Sequence, residues 1–119
     1  VIETILLNII YAGEYKTMMP KLKSINFENM ELIRPLYFIK EKDIVSWKHH
    51  CNLDFLDCAC GVTKSKLGKR REVKELIESL RKIDKNIDIH IFKSSENINI
   101  DAVLGYKTKN KKVSFLDEY

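Results

Sequence analysis

The sequence predicts a helix-rich α/β fold, and three segments carry that expectation: an apolar opening helix, a strand rich in Leu, Ile, Tyr and Phe, and a long amphipathic helix beyond them. A chain of 119 residues, 45% hydrophobic and 32% charged, suits one domain with one core.

Val1 to Tyr11 reads as a helix already under way, apolar on most sides and therefore expected to be buried. Neither an initiator Met nor a capping residue precedes its apolar run, so the natural sequence is expected to continue upstream. Gly13 ends the helix, and Lys16 to Asn29, with Pro20, Lys21 and Lys23, is expected as a loop. Glu31 to Ile39 is the best strand, with Pro35 marking an end or an edge because it lacks an amide donor.

Glu41 to Cys51 follows as a helix with a stripe of Ile44, Val45, Trp47 and Lys48, and a short apolar stretch, Phe55 to Leu56, leads to a cysteine pair. Lys69 to Ile83, opened by Gly68, places Val73, Leu76, Ile77, Leu80 and Ile83 at helical spacing, with Arg70, Lys74, Arg81 and Lys82 left to solvent. Lys69, Arg70 and Arg71 are read as lying off the packing face. Ile87 to Ile100 predicts a second short helix around Ile87, Ile91 and Phe92, ended by Asn97 and Asn99. Val103 to Phe115, with Lys107, Lys109, Lys111 and Lys112 around Asn110, predicts an exposed basic turn or hairpin.

Composition excludes several classes. Glu3, Thr4 and Asn8 break the longest apolar run, so no bilayer span is expected, and the start does not resemble a signal peptide. Three cysteines, two of them a single residue apart, argue against a disulfide framework and for a reducing, cytoplasmic location. The net charge of +4 and pI near 8.9 are mild, but Lys64, Lys66, Lys69, Arg70, Arg71 and Lys74 crowd one window with Glu72 as the sole acid. Cations at a helix start oppose the helix dipole, which points to an anionic partner.

Cys51, Cys58 and Cys60 set soft donors beside that basic window. Thiolates bind zinc or iron–sulfur clusters, whereas Lys and Arg neutralise phosphates. Small cysteines also pack in cores, the expectation for Cys51 at a helix end. Asp57 and Gly61 instead place Cys58 and Cys60 on a loop, where they serve as metal or sulfur ligands. A zinc set of His49 or His50 with the three cysteines matches no standard finger spacing. Trp47 and the tyrosines are expected in the core.

In order along the chain, Val1 to Asn8, Tyr11-Ala12-Gly13, Lys16-Thr17-Met18-Met19-Pro20-Lys21-Leu22, Ile33-Arg34-Pro35-Leu36, Glu41-Lys42-Asp43-Ile44 and Cys58-Ala59-Cys60-Gly61 resemble the C-terminal half of PP-loop ATP-pyrophosphatases of the tRNA 2-thiocytidine synthetase family. Two departures stand out. The family commonly has Cys-x-x-Cys-Gly where this chain is one residue shorter, and the phosphate loop, the His-His-x-Asp-Asp motif and an upstream Cys-x-x-Cys are absent.

The resemblance implies that residues 1–119 are the C-terminal part of a Rossmann-like adenine nucleotide alpha hydrolase domain whose nucleotide-binding N-terminal half is missing. It implies ATP and Mg2+ for adenylating a cytidine oxygen, a sulfur donor to displace AMP, and a [4Fe-4S] cluster held by three cysteines. Cys58 or Cys60 would be the third ligand and the catalytic thiol. Glu3 and Thr4, polar in an apolar helix, would border the nucleotide, and Arg34 would meet phosphate, although Asp43 or Glu41 offers it an ion pair instead. Lys64, Lys66, Lys69, Arg70 and Arg71, with Lys21 in the preceding loop, would contact tRNA. A fragment of this kind is expected to bind ATP poorly by itself and to form a homodimer over its exposed sheet edge. Two other readings are a lysidine synthetase-like enzyme, which does not need the cysteines, and a non-catalytic nucleic-acid-binding module.

Overall fold

A computed structural model describes residues 1–54 and 64–119, with side chains described from residue 68 onward in the second stretch. Phe55, Leu56 and the Cys58–Cys60 pair fall outside the described residues. The described part contains five α-helices and two small antiparallel hairpins: α1 (Ile2–Leu7), β1 (Lys21–Lys23), β2 (Glu31–Ile33), α2 (Glu41–His50), α3 (Lys64–Ile83), α4 (Ile87–Ser94), β3 (Gly105–Lys107), β4 (Lys112–Ser114) and α5 (Phe115–Glu118). This mixture of helices and small sheets is compatible with α/β.

Helices α1, α3 and α4 pack together, and their contact holds the centre. Ile5 from α1 and Val73 and Ile77 from α3 are buried there, and Val113 of β4 is a fourth buried side chain. The i, i+4 spacing of Val73 and Ile77 aligns them on one face of α3. Ile83, expected on that face, is 83% exposed because the helix ends there with nothing beyond to cover it. Helix α3 begins five residues before the expected start, so Gly68 lies inside it and the basic window occupies its first turns.

Helix α1 is shorter than expected and not fully buried. After Leu7 the backbone widens into a π-helical turn, Asn8–Ala12, closed by Gly13 in the left-handed conformation at φ +60°, where glycine carries no Cβ penalty. Only Ile5 of α1 is buried, and Ile9, Ile10 and Tyr11 on the turn stay nearly half exposed.

The segment expected as a loop contains β1, which pairs with β2 in the register Lys21↔Ile33, Leu22↔Leu32, Lys23↔Glu31. Strand β2 stops at Ile33 instead of Ile39: Pro35 cannot donate to a ladder, and the chain turns over 35–39. That turn docks on α4 through a cluster of Tyr37, Phe38 and Phe92, with ring centroids 5.2–6.0 Å apart in edge-to-face arrangements.

Helix α2 matches its expected span, and none of its residues is fully buried. Val45 and Trp47 are about half exposed, as are Tyr11 and Tyr15, so the aromatic residues expected inside lie at the surface. Helix α4 ends at Ser94, before Ile100. Asn97 donates to the Lys93 carbonyl beyond its end, and Asn99 caps a short 3-10 turn. The basic tail is a hairpin, as expected. Gly105 is required there, since a Cβ would stand 2.7 Å from the Val113 carbonyl oxygen.

The radius of gyration is 17.6 Å, against about 13.5 Å for a compact domain of this length. Among the described residues few side chains are buried and many large apolar ones are exposed.

Candidate nucleic-acid interface and interhelical groove

Two surfaces gather the expected functional residues. The first is where the π turn meets the start of α3. Lys69 and Glu72, three residues apart, share a face of α3 directed at Tyr11. The Tyr11 hydroxyl donates to the Glu72 carboxylate, and the Lys69 ammonium lies 4.9 Å from the Tyr11 ring centroid. The hydrogen bond to Glu72 holds the Tyr11 hydroxyl above its ordinary pKa. Lys69 sits one turn before Val73, so it does not stand off the packing face as expected. It covers the end of the apolar seam through Tyr11.

Arg71 pairs with Glu75 at 3.4 Å, an exposed contact of little stabilising value, and Arg70 has no ion pair among the described residues. Lys64 and Lys66 lie in the first turn of the same helix, which contains no acidic residue. Lys69 and Arg70 thus have no close ion pair among the described residues, and cations near a helix start oppose the dipole, an arrangement that an anion would relieve.

Lys21 lies apart from this cluster, on β1, where its ammonium pairs with Glu31 at 2.7 Å. Arg34 also departs from expectation. Its guanidinium donates to the Met19 carbonyl at 2.6 Å, and its backbone amide donates to Pro20, so it locks the β1–β2 hairpin and does not pair with Asp43 or Glu41.

The second surface is an open groove of about 930 Å³ between α2 and the layer of α1, α3 and α4. Glu3 lines it, together with Tyr37, Phe38, Val45, Ile77 and Phe92. Charged pairs bridge its walls: Lys74 of α3 meets Glu41 of α2 at 3.1 Å, and Arg81 of α3 grips Asp88 of α4 with two bonds of 2.9 Å. Lys40 adds a third cation 3.8 Å from Asp88. Arg81, expected in solvent, is only partly exposed. The Arg81 guanidinium holds the Asp88 carboxyl below its ordinary pKa.

Of the polar residues Glu3, Thr4 and Asn8, Asn8 bonds to backbone. The Asn8 amide donates to the Thr4 and Lys16 carbonyls, which ties the π turn to the following loop. Glu3 faces the groove, so the two residues expected beside a nucleotide are split between that wall and a helix-turn hydrogen bond.

Cys51, at the C-terminal end of α2, is exposed, against the expectation of burial. Among the described residues no three His, Cys, Asp or Glu side chains converge as a metal site, and Cys58 and Cys60 lie outside them. No described helix is long and apolar enough to cross a membrane.

Tyr11 was missed as a surface residue because an aromatic in an apolar run reads as core. Its signal was the Gly two residues later, which ends the helix before a partner can cover the ring.

Comparison with known proteins finds relatives named as tRNA-cytidine(32) 2-sulfurtransferases. It is 31% identical over 110 residues to a tRNA-cytidine(32) 2-sulfurtransferase of Coxiella burnetii, and 31% over 108 residues to one of Geotalea uraniireducens. A third, from Nitrosospira multiformis, is 34% identical over 105 residues. The matches cover 87–92% of this chain but 34–42% of the relatives, so the chain spans about two fifths of the length of the curated proteins it matches. It is homologous to that part of the tRNA 2-sulfurtransferases, and the family resemblance read from its motifs holds. No family profile matches the chain, and no solved structure matches it.

Proposed function

We propose that this chain is the C-terminal portion of an ATP-dependent tRNA thiolase, which replaces a cytidine oxygen by sulfur. The observation that carries this reading is 31% identity over 92% of the chain to an enzyme named for that reaction. The open shape and exposed apolar groove support a role as part of a larger domain, whose nucleotide-binding half would supply the phosphate loop for ATP and Mg2+. A homodimer would cover the remaining exposed surface, in the reducing cytoplasm that the free thiols suit.

The chemistry explains why such an enzyme needs both ATP and thiols. The C2 oxygen of cytidine is a poor leaving group, and adenylation makes it a good one that a sulfur nucleophile displaces together with AMP. A cluster, when bound, would deliver that sulfur at an open iron, with Cys58 or Cys60 as one of its ligands. Glu3, Thr4 and Arg34 would act at the nucleotide's border, Arg34 through the hairpin it locks. Lys64, Lys66, Lys69, Arg70, Arg71 and, at a separate point, Lys21 would bind tRNA phosphates.

A lysidine synthetase-like role shares the activation step but leaves the cysteines without a task, and the relatives' names favour sulfur. Nucleoside analysis of tRNA from cells lacking the gene separates the readings. Loss of 2-thiocytidine supports thiolation, loss of lysidine supports the rival, and loss of neither supports a binding module.

A further inference from the structure

We propose that Tyr11 is a stacking platform for an unpaired RNA base, with neighbouring cations to hold the flanking phosphates. The proposal rests on the tRNA reading above and adds to it the element that would hold the base. Three observations point to it. First, Tyr11 is 45% exposed on a π turn, although it follows an apolar helix, and its hydroxyl is fixed by Glu72, so its ring is presented in one orientation. Second, Lys69 lies against that ring and Arg70 follows on α3 without an ion pair among the described residues. Third, Glu14, three residues beyond Tyr11, anchors the C-terminal hairpin by a 2.7 Å pair with Lys107.

That pair ties the hairpin that bears Lys109, Lys111 and Lys112 to a residue just beyond the π turn. Lys107 and Lys112 stand directly opposite in the hairpin, a repulsive register that the Glu14 contact relieves at one end only. A half-exposed aromatic ring held by a hydrogen bond beside Lys69 and Arg70 matches single-stranded RNA, whose bases stack on aromatic rings while its phosphates track basic grooves.

The test compares Tyr11→Ala, Tyr11→Phe and Lys109→Ala/Lys111→Ala/Lys112→Ala with wild type in binding unmodified tRNA transcript across a salt series, with circular dichroism to confirm that each variant is folded. Tyr11→Ala should weaken binding roughly 5–150-fold without changing the salt slope, because stacking releases no counterion. Tyr11→Phe should bind within about twofold of wild type. The hairpin variant should flatten the slope. Unchanged affinity in folded Tyr11→Ala, or a Tyr11→Phe loss equal to that of Tyr11→Ala, overturns the platform. Wild-type chain that fails to bind the transcript overturns the tRNA reading beneath it, a result distinct from either.

Discussion

Arg81 and Asp88 form a two-point ion pair that ties α3 to α4, Nε to Oδ1 and Nη2 to Oδ2 at 2.9 Å each. Asp88 is only 14% exposed, and Lys40 approaches from the turn before α2, so one carboxylate joins three elements.

Asp88→Asn should destabilise the chain by about 1–2 kcal/mol, since it keeps the shape but loses the charge-assisted bonds, discounted for the part of Arg81 open to solvent. The pH dependence follows from the depressed carboxyl. The unfolded chain binds this proton first as pH falls, so the stabilisation is complete above about pH 4 and fades as pH drops through the folded value. Denaturant midpoints between pH 3 and 7 check this: wild type should lose stability on the acid limb, and Asp88→Asn should show a flatter limb.

Ile77→Ala should cost about 2–5 kcal/mol, the range for large-to-small changes in a core. Ile77 is 2% exposed and joins Ile5 and Val73 at the α1–α3 contact, so nothing else buried can compensate. Thermal denaturation by circular dichroism should show loss of most cooperativity, whereas Ile83→Ala, at an exposed position, should leave the transition within about 0.5 kcal/mol of wild type.

Replacing Arg70 and Arg71 by Ala should weaken tRNA binding and reduce the salt slope by about 1–2, the share of two phosphate contacts. These two are better targets than Lys69, whose ammonium also rests on the Tyr11 ring. Filter binding across a salt series, with a melting curve as control, reads both effects. An unchanged slope would make the basic window a solvated helix start.

The sequence displayed the long helix and the basic hairpin clearly, because i, i+4 apolar spacing in Val73 and Ile77 and the Lys-Asn-Lys turn are local signals. It was silent on depth. Trp47, Tyr11 and Ile83 carry the apolar character of core residues, and whether they are covered depends on partners that periodicity does not reveal. The partner of Arg34 was illegible for a related reason: its reach to the Met19 carbonyl, in place of an ion pair with Asp43 or Glu41, depends on a hairpin whose first strand, Lys21–Lys23, has too few residues to show an alternating pattern. The motif series carried the family reading, since order along the chain survives where local structure does not.

Iron and acid-labile sulfide after anaerobic reconstitution of the full-length protein test the thiol assignment. Cys58→Ala/Cys60→Ala should lower both, while Cys51→Ala, which removes an exposed thiol at the end of α2, should not. Equal iron in the double variant would remove these two cysteines from the ligand set.

The most direct measurement is the 2-thiocytidine content of tRNA, by nucleoside mass spectrometry, in cells deleted for the gene and in the same cells carrying it again. The account predicts that 2-thiocytidine disappears on deletion, returns with the wild-type gene, and does not return with Cys58→Ala/Cys60→Ala. Undiminished 2-thiocytidine in the deleted cells, with no second gene for the activity present, would contradict it.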